Sequence, residues 1–455
     1  MSAACFKAYD IRGRVGEELD EDLAWRIGRA MADWLHAGRI VIGADMRLSS
    51  PALANALCEG IVSAGADVID IGLSGTEEVY FATVYHQADG GIQVTASHNP
   101  AEYNGMKLVR AGARPISGDS GLTEIRDRVL ANRFPESQRR GKRLRLTDKR
   151  PYIRHLLHLV DCHPLDGACM VTNAGNGALG PALDVLVEEL DHRGIRPQLH
   201  RYHDTPDGTF PHGVPNPLLP ENRAETRQAV IRHGAQLGVA FDGDFDRCFF
   251  FDEHGDFVES YYIIGLLANA LLARQPGGTI IHDPRLTWST IDSVREAGGR
   301  PLQSKTGHAF IKERMRRDNA LYGGEMSGHH YFRDFHYCDS GILPWLHLAR
   351  LLAVSGQSLS ALVHDRARRY PVSGEINFTV ADSQAALDTI RQRYQHSALS
   401  EDATDGVSLE FADWRFNVRA SNTEPLLRLN VETRANPELL ASKTRELSSL
   451  LGGAP

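Results

Sequence analysis

Four short stretches concentrate the residue types that do chemistry. In the first, Thr95-Ala96-Ser97-His98-Asn99-Pro100, a serine hydroxyl sits beside an imidazole directly after the apolar run Gly91–Val94. Ligands of α/β folds gather just past the carboxyl ends of strands. Here His98, Lys107 and Arg110 supply positive charge for an anion such as phosphate. The same letters also read as an Asn-Pro turn with a capping serine. A serine hydrolase fits less well, because the chain has no G-x-S-x-G elbow and adjacency of Ser97 and His98 is no evidence for a triad.

The second stretch is Asp242-Gly243-Asp244-Phe245-Asp246-Arg247. On extended chain, alternate carboxylates point to one side. Their mutual repulsion is costly unless a cation neutralises it, and oxygen ligands suit Mg²⁺ or Ca²⁺. An EF-hand is excluded, since Arg247 stands where that loop needs glycine and Cys248–Phe251 reads as a strand. A solvated acidic turn is the plain alternative.

The third, Gly323-Gly324-Glu325-Met326-Ser327-Gly328-His329, brackets an acceptor and a hydroxyl with glycines that let a ligand approach the backbone. The fourth, Arg419-Ala420-Ser421-Asn422-Thr423-Glu424-Pro425, offers a guanidinium, hydroxyls, an amide and loop N–H groups, the makings of a phosphate clamp or of a polar hairpin. Gly175–Gly180 matches G-x-G-x-x-G after a strand, so a dinucleotide site is a rival reading. Gly299–Thr306 misses a P-loop by one residue, Ser304 for glycine. No H-E-x-x-H or zinc-spaced cysteine cluster is present. An acceptor nucleophile, a metal site, hydroxyl ligands and a remote phosphate anchor are the parts phosphoryl transfer needs.

These parts must be positioned by a sizeable scaffold. The 455 residues carry a formal charge of −8, with 42% hydrophobic and 24% charged residues, an ordinary globular balance in a length that allows about three domains. The acidic balance argues against a nucleic-acid or membrane-surface partner. The six cysteines are scattered and read as reduced thiols. The N-terminus reaches Tyr9-Asp10 before an apolar run builds, so no signal peptide is expected and the cytoplasm is the expected location. Strand-like runs Arg39–Ala44, Ala66–Leu73, Ala168–Thr172, Pro197–Tyr202, Leu237–Phe241 and Thr279–His282 alternate with helical patterns, which predicts βαβ units and mainly parallel sheets. The last stretch differs: Glu375–Val380, Val407–Phe411, Trp414–Arg419 and Leu426–Glu432 read as strands beside two helices, a small α+β domain with a hairpin turn at Ala412-Asp413. The basic run Arg139–Arg150 reads as a solvated linker.

The four motifs, in this order and with Phe6-Lys7-Ala8-Tyr9-Asp10-Ile11-Arg12-Gly13 at the start, resemble the α-D-phosphohexomutase superfamily over essentially the whole chain. The resemblance implies three similar α/β domains with mixed, mainly parallel sheets and a C-terminal α+β domain around a central cleft. The boundaries expected are 1–148, 149–252, 253–368 and 369–455. It also implies that Gly175–Gly180 is an ordinary loop of the second domain. By resemblance, Ser97 is a phosphoserine and, with Asp242, Asp244 and Asp246, holds Mg²⁺. Arg12, His98, Lys107 and Arg247 would surround the reacting phosphoryl group. Glu325 and Ser327 would hold sugar hydroxyls, with Arg285, His308 and His329 in support. Arg419, Ser421, Asn422 and Thr423 would grip the non-reacting phosphate. Position 285 departs from a lysine found in some relatives. Gly-Glu-Met-Ser-Gly resembles the branch acting on mannose and glucose phosphates, with a hexose 1,6-bisphosphate as intermediate and activator and GDP-mannose synthesis as the outlet. Small sugar phosphates are the partners expected.

Overall fold

After its exposed first residue, the strand Arg39–Ala44 is apolar through Ile40, Val41 and Ile42, the pattern of a strand covered on both faces. It lies between two parallel neighbours, Asp67–Leu73 and Gly90–Val94. Gly90–Val94 pairs antiparallel with Tyr103–Arg110, and that strand pairs with Ile11–Arg14. One face packs Ile40, Ile42, Ile92 and Val94 against Ile27, Met31, Leu57 and Ile61 of the helices Glu21–Leu35 and Ser50–Ser63. Val41 and Ile69 face the helix Thr76–Tyr85 on the other side through Val79 and Ala82. Full burial of each such aliphatic side chain contributes roughly 1.5–3 kcal/mol. The Glu21–Leu35 helix starts where the Asp20 carboxylate accepts the Leu23 N–H at 2.8 Å, and ends at His36 in the left-handed region.

The structure, a computed structural model, describes residues 4–380, 382–420 and 426–452. They fall into two units, Met1–Phe257 with His329–Gly356, and Val258–Gly328 with Gln357–Pro455. The first unit repeats its plan in a second sheet. Cys169–Asn173 has parallel neighbours Gln198–Tyr202 and Leu237–Phe241, and the latter turns back into antiparallel Cys248–Phe251. In the other unit Thr279–His282 has parallel neighbours Arg300–Gln303 and Tyr322–Gly324. In each repeat the segment leaving the third parallel strand carries a motif: Ser97, then Asp242–Asp246, then Glu325–His329. The expected three similar α/β domains are therefore present.

The C-terminal segment is an antiparallel sheet of Ile376–Thr379, Leu426–Thr433, Trp414–Ala420, Val407–Glu410 and Ser400–Asp402. Its fully buried residues Leu409, Phe416, Val418, Leu427, Leu429 and Val431 pack with Ile390 and Leu447 of two helices. The Phe411 N–H donates to the Trp414 carbonyl at 2.9 Å, closing the expected hairpin at Ala412-Asp413. The basic run differs from its reading as a linker. Arg143–Arg145 is an exposed strand pairing with Asp67–Leu73, and Arg143 bonds Asp70 at 2.7 Å. Strand pairing needs only backbone groups and an edge, so a polar composition concealed it. None of the six cysteines is in a disulfide. Among the described residues no single helix is long and apolar enough to cross a membrane.

The two helices of the first sheet cross at Gly60, where an added Cβ would lie 2.0 Å from the Trp25 carbonyl oxygen. Alanine would gain up to about 1 kcal/mol of helix propensity, but a backbone clash cannot be relieved by a rotamer change. Gly60→Ala is expected to destabilise by roughly 1–3 kcal/mol, read as a lower midpoint of urea unfolding. An unchanged midpoint would mean that this crossing is loose.

Candidate functional site

Ser97 sits in the connection between the antiparallel neighbours Gly90–Val94 and Tyr103–Arg110, buried and at φ +50°. A non-glycine residue rarely adopts that conformation unless its surroundings enforce it. Its N–H donates to Thr95 Oγ1 at 2.8 Å. The stronger restraint is Arg47, whose buried guanidinium donates to four carbonyls of this loop. They are Ser97 at 2.9 Å, Asn99 at 2.6 Å, Pro100 at 2.8 Å and Tyr103 at 2.9 Å. Asp45, 3.5 Å from Arg47 Nε, neutralises it. The opposing loop comes equally close, because a Cβ on Gly243 would stand 2.6 Å from the Ser97 carbonyl.

The Ser97 hydroxyl donates to Asp242 Oδ2 at 2.6 Å and accepts from Arg247 Nη2 at 2.8 Å. His98 Nδ1 lies 3.0 Å from the same oxygen and also accepts from Arg247. Arg247 bonds Asp242 through Nε at 2.9 Å. Lys107 Nζ reaches Asp244 Oδ2 at 2.6 Å and also Asp246, and Thr76 Oγ1 donates to Asp244. Lys107, read from the sequence as a partner for phosphate, is here the counter-ion of two aspartates.

Asp242, Asp244 and Asp246 do converge, with one oxygen from each inside a 4.8 Å cluster. They do so by a route other than the extended chain expected. Residues 242–246 form a turn in which Phe245 takes φ +45° and is fully buried, and its N–H donates to the Asp242 carbonyl at 3.1 Å. Burying that ring contributes roughly 1.5–3 kcal/mol, which offsets the roughly 1–3 kcal/mol cost of the positive φ. Asp244 Oδ1 and Asp246 Oδ1 are buried and accept no hydrogen bond. Buried acceptors left without donors are rare, and three all-oxygen ligands suit a hard divalent cation. The glycine-rich loop Gly175–Gly180 buttresses this turn: the Ala178 N–H donates to the Gly243 carbonyl at 3.0 Å.

The titrations follow from burial and charge. Burial, with the Asp244 charge, pushes the Asp246 carboxyl far above the usual range. Burial also raises Asp242 against the opposing Arg247 charge. Burial would raise Asp244 too, but Lys107 holds it below the ordinary carboxylate range. Burial and then the Arg247 charge depress His98 far below its usual value, so its ring is neutral.

Arg12 joins through Asn99, whose Oδ1 accepts from its Nη1 at 2.6 Å, and pairs with Asp10 at 2.5 Å. His329 Nε2 lies 3.7 Å from Asp246 Oδ1 and 3.9 Å from Asp339 Oδ2. These belong to the first unit, with Ser97, His98, Lys107 and Arg247.

The second unit gathers the rest. Glu325 is buried and its Oε1 accepts the Gly307 N–H at 2.9 Å, next to His308 at the head of a helix. Ser327 follows two residues on from Glu325, within the same loop. Arg285 pairs with Asp283 at 2.6 Å, stands 3.9 Å from Glu325 and reaches Glu375 at 3.4 Å. Arg419 also reaches Glu375, at 3.4 Å, and Arg428 reaches it at 3.1 Å. Ser421, Asn422 and Thr423 lie outside the described residues. The sequence reading missed Asp45, Arg47, Thr76, Asp283, Glu375 and Arg428. Asp45 and Arg47 directly follow a buried strand, a placement that could have flagged them.

Family profiles match in four successive blocks. "Phosphoglucomutase/phosphomannomutase, alpha/beta/alpha domain I" matches residues 3–136, domain II 150–255, domain III 259–370, and the C-terminal domain 375–447. The chain is similar to a phosphomannomutase of Escherichia coli (strain K12), 56% identical over 449 residues and 98% of each chain. It is also similar to a protein of Xanthomonas campestris pv. campestris named phosphohexose mutases, 56% identical over 453 residues and 100% of each chain. The crystal structure of a phosphoglucomutase/phosphomannomutase family protein from Burkholderia thailandensis superposes with a TM-score of 0.86 at 31% identity. It covers 100% of this chain and 99% of that one.

Arg47→Lys keeps the charge but cannot serve four carbonyls. Each buried carbonyl left without a donor costs about 1–3 kcal/mol, and a loop displaced by about 1 Å costs roughly a hundredfold in rate. Turnover is expected to fall by about that factor with KM little changed. Activity within about threefold of wild type would remove Arg47 from this role.

Proposed function

The chain belongs to the phosphoglucomutase/phosphomannomutase family of mutases, and from that premise we propose that it interconverts mannose 6-phosphate and mannose 1-phosphate. The observation that carries this reading is the Ser97 hydroxyl held between Asp242 and Arg247 beside two carboxylate oxygens that lack donors. Phosphorylated Ser97 gives its phosphoryl group to the free sugar hydroxyl, which loses a proton while Ser97 Oγ regains one. The hexose 1,6-bisphosphate turns over and its other phosphate returns to Ser97, releasing the isomer. Arg247 and Arg12 offset charge on the transferring group, and the neutral His98 ring beside Ser97 Oγ supports a part in carrying the proton.

Asp242, Asp244 and Asp246, with an oxygen of phosphorylated Ser97, would hold Mg²⁺. Its charge would offset that of the phosphoryl oxygens. Glu325 and Ser327 bind sugar hydroxyls, and Arg419 with Ser421, Asn422 and Thr423 binds the phosphate that is not reacting. Arg285, His308 and His329 support them. Hexose 1,6-bisphosphate activates enzyme that has lost its phosphate. The substrates are cytoplasmic sugar phosphates, and mannose 1-phosphate is the form required for GDP-mannose synthesis.

Intact-mass analysis of purified protein should show one added phosphoryl group in part of the population, mapped to Ser97 and absent from Ser97→Ala, which should also be inactive. Full activity in that variant would end the assignment.

Specificity follows from which hydroxyls are read. Glu325 and Ser327, if they hold the C3 and C4 hydroxyls, hold groups that mannose and glucose share. Strong rejection of the C2 epimer would need a buried polar group left unpaired by it. Coupled assays should therefore show glucose 1-phosphate turnover, with mannose favoured by no more than about a hundredfold. Complete inertness of glucose 1-phosphate would require a residue that reads C2.

A further inference from the structure

Three guanidiniums, from Arg285, Arg419 and Arg428, converge on the single carboxylate of Glu375. Arg285 and Glu375 lie far in sequence from each other and from Arg419 and Arg428, which face each other across a strand pair, and no motif contains Glu375. The side chains of Arg285 and Arg419 are 3% and 4% exposed, so water does little to screen their mutual repulsion. Burial, then the Arg285 charge, lowers the Arg419 pKa. Burial would raise Glu375, but Arg285, Arg428 and Arg419 together hold it ionised, below the ordinary range.

The distances separate two kinds of partner. Asp283 holds Arg285 at 2.6 Å, the length of a strong charge-assisted bond. Glu375 stands at 3.4 Å from Arg285, 3.4 Å from Arg419 and 3.1 Å from Arg428, at the long end of hydrogen bonding. A carboxylate shared this way cannot serve every donor, and the buried Nε atoms of Arg285 and Arg419 find no acceptor among the described residues. It leaves donors that a phosphate, with more oxygens and more charge, can take.

We propose that Glu375 is a built-in counter-anion of the phosphate grip, one that keeps Arg285, Arg419 and Arg428 assembled while weakening their hold on the sugar's non-reacting phosphate. This rests on the reading that Arg419 binds that phosphate. The consequence is kinetic. A bisphosphate that must leave the grip, turn and present its other end would be held longer by arginines relieved of Glu375, because binding stronger in the intermediate than in the transition state slows turnover.

The test uses inorganic phosphate as a competitive inhibitor of the full-length enzyme. Glu375→Gln removes the charge and keeps the shape. It should lower the inhibition constant for phosphate by about tenfold, lower KM for mannose 1-phosphate in parallel, and lower kcat. Glu375→Asp, which restores the charge, should return toward wild type, and Arg419→Ala should weaken phosphate inhibition and abolish the effect of Glu375→Gln. Weaker or unchanged phosphate inhibition in a folded Glu375→Gln protein would overturn the proposal. If Arg419→Ala leaves phosphate inhibition unaltered, it is the assignment of the grip itself that fails.

Discussion

The ion pairs that Lys107 makes with Asp244 and Asp246 tie two sheets of the first unit together, and Arg247 pairs with Asp242 beside them. Lys107 comes from the strand Tyr103–Arg110 of the first sheet, and the aspartates leave the last parallel strand of the second. Charges about 4 Å apart interact by roughly 4 kcal/mol at the effective dielectric of a partly solvated protein. Removing one partner of a buried pair typically costs about 3–5 kcal/mol. Two cations face three carboxylates, so the arrangement carries an excess of negative charge that a divalent ion relieves. Asp246, whose carboxyl burial and the Asp244 charge push well above its usual range, shares with Asp244 an Oδ1 that lacks a donor.

The remaining geometry of this unit keeps Ser97 at that cluster. Gly243 lets the two loops touch, Phe245 turns the acidic segment, and Arg47 fixes the serine loop by its carbonyls. None of the three contributes a reacting atom. They hold a strained serine within hydrogen-bond reach of a carboxylate and a guanidinium, which is where pre-organisation resides in phosphoryl transfer.

Much of this was legible in the sequence, for identifiable reasons. Residues 40–44 and Leu237–Phe241 are continuous apolar runs with sharp ends, and the motifs follow strands directly, so the chemistry could be located before the fold was known. The acidic triplet was found by composition, yet its geometry was misjudged, because nothing in the letters shows that Phe245 turns inward. Arg47 and Glu375 were invisible for a different reason. Arg47 serves carbonyls, which any residue possesses, and Glu375 meets arginines at positions 285, 419 and 428. Pattern reading works along the chain, and these interactions exist only across it. The strand Arg143–Arg145 was lost because backbone pairing can override an exposed, basic composition.

The path of the chain has a consequence for its synthesis. The first unit is interrupted after Phe257 and completed only by His329–Gly356. That returning piece includes the buried helix Ile342–Ser355, whose Trp345 packs edge-on against Phe241, and Ser340 and Ile342 beside the buried Glu77. A ribosome adding roughly 5–20 residues per second leaves the N-terminal sheets without this cover for about 5–20 s. During that interval the apolar surface beneath the helix is open to chaperones or to neighbouring nascent chains. The segment Val258–Gly328, which belongs to the other unit, thus sets how long that surface waits for its cover.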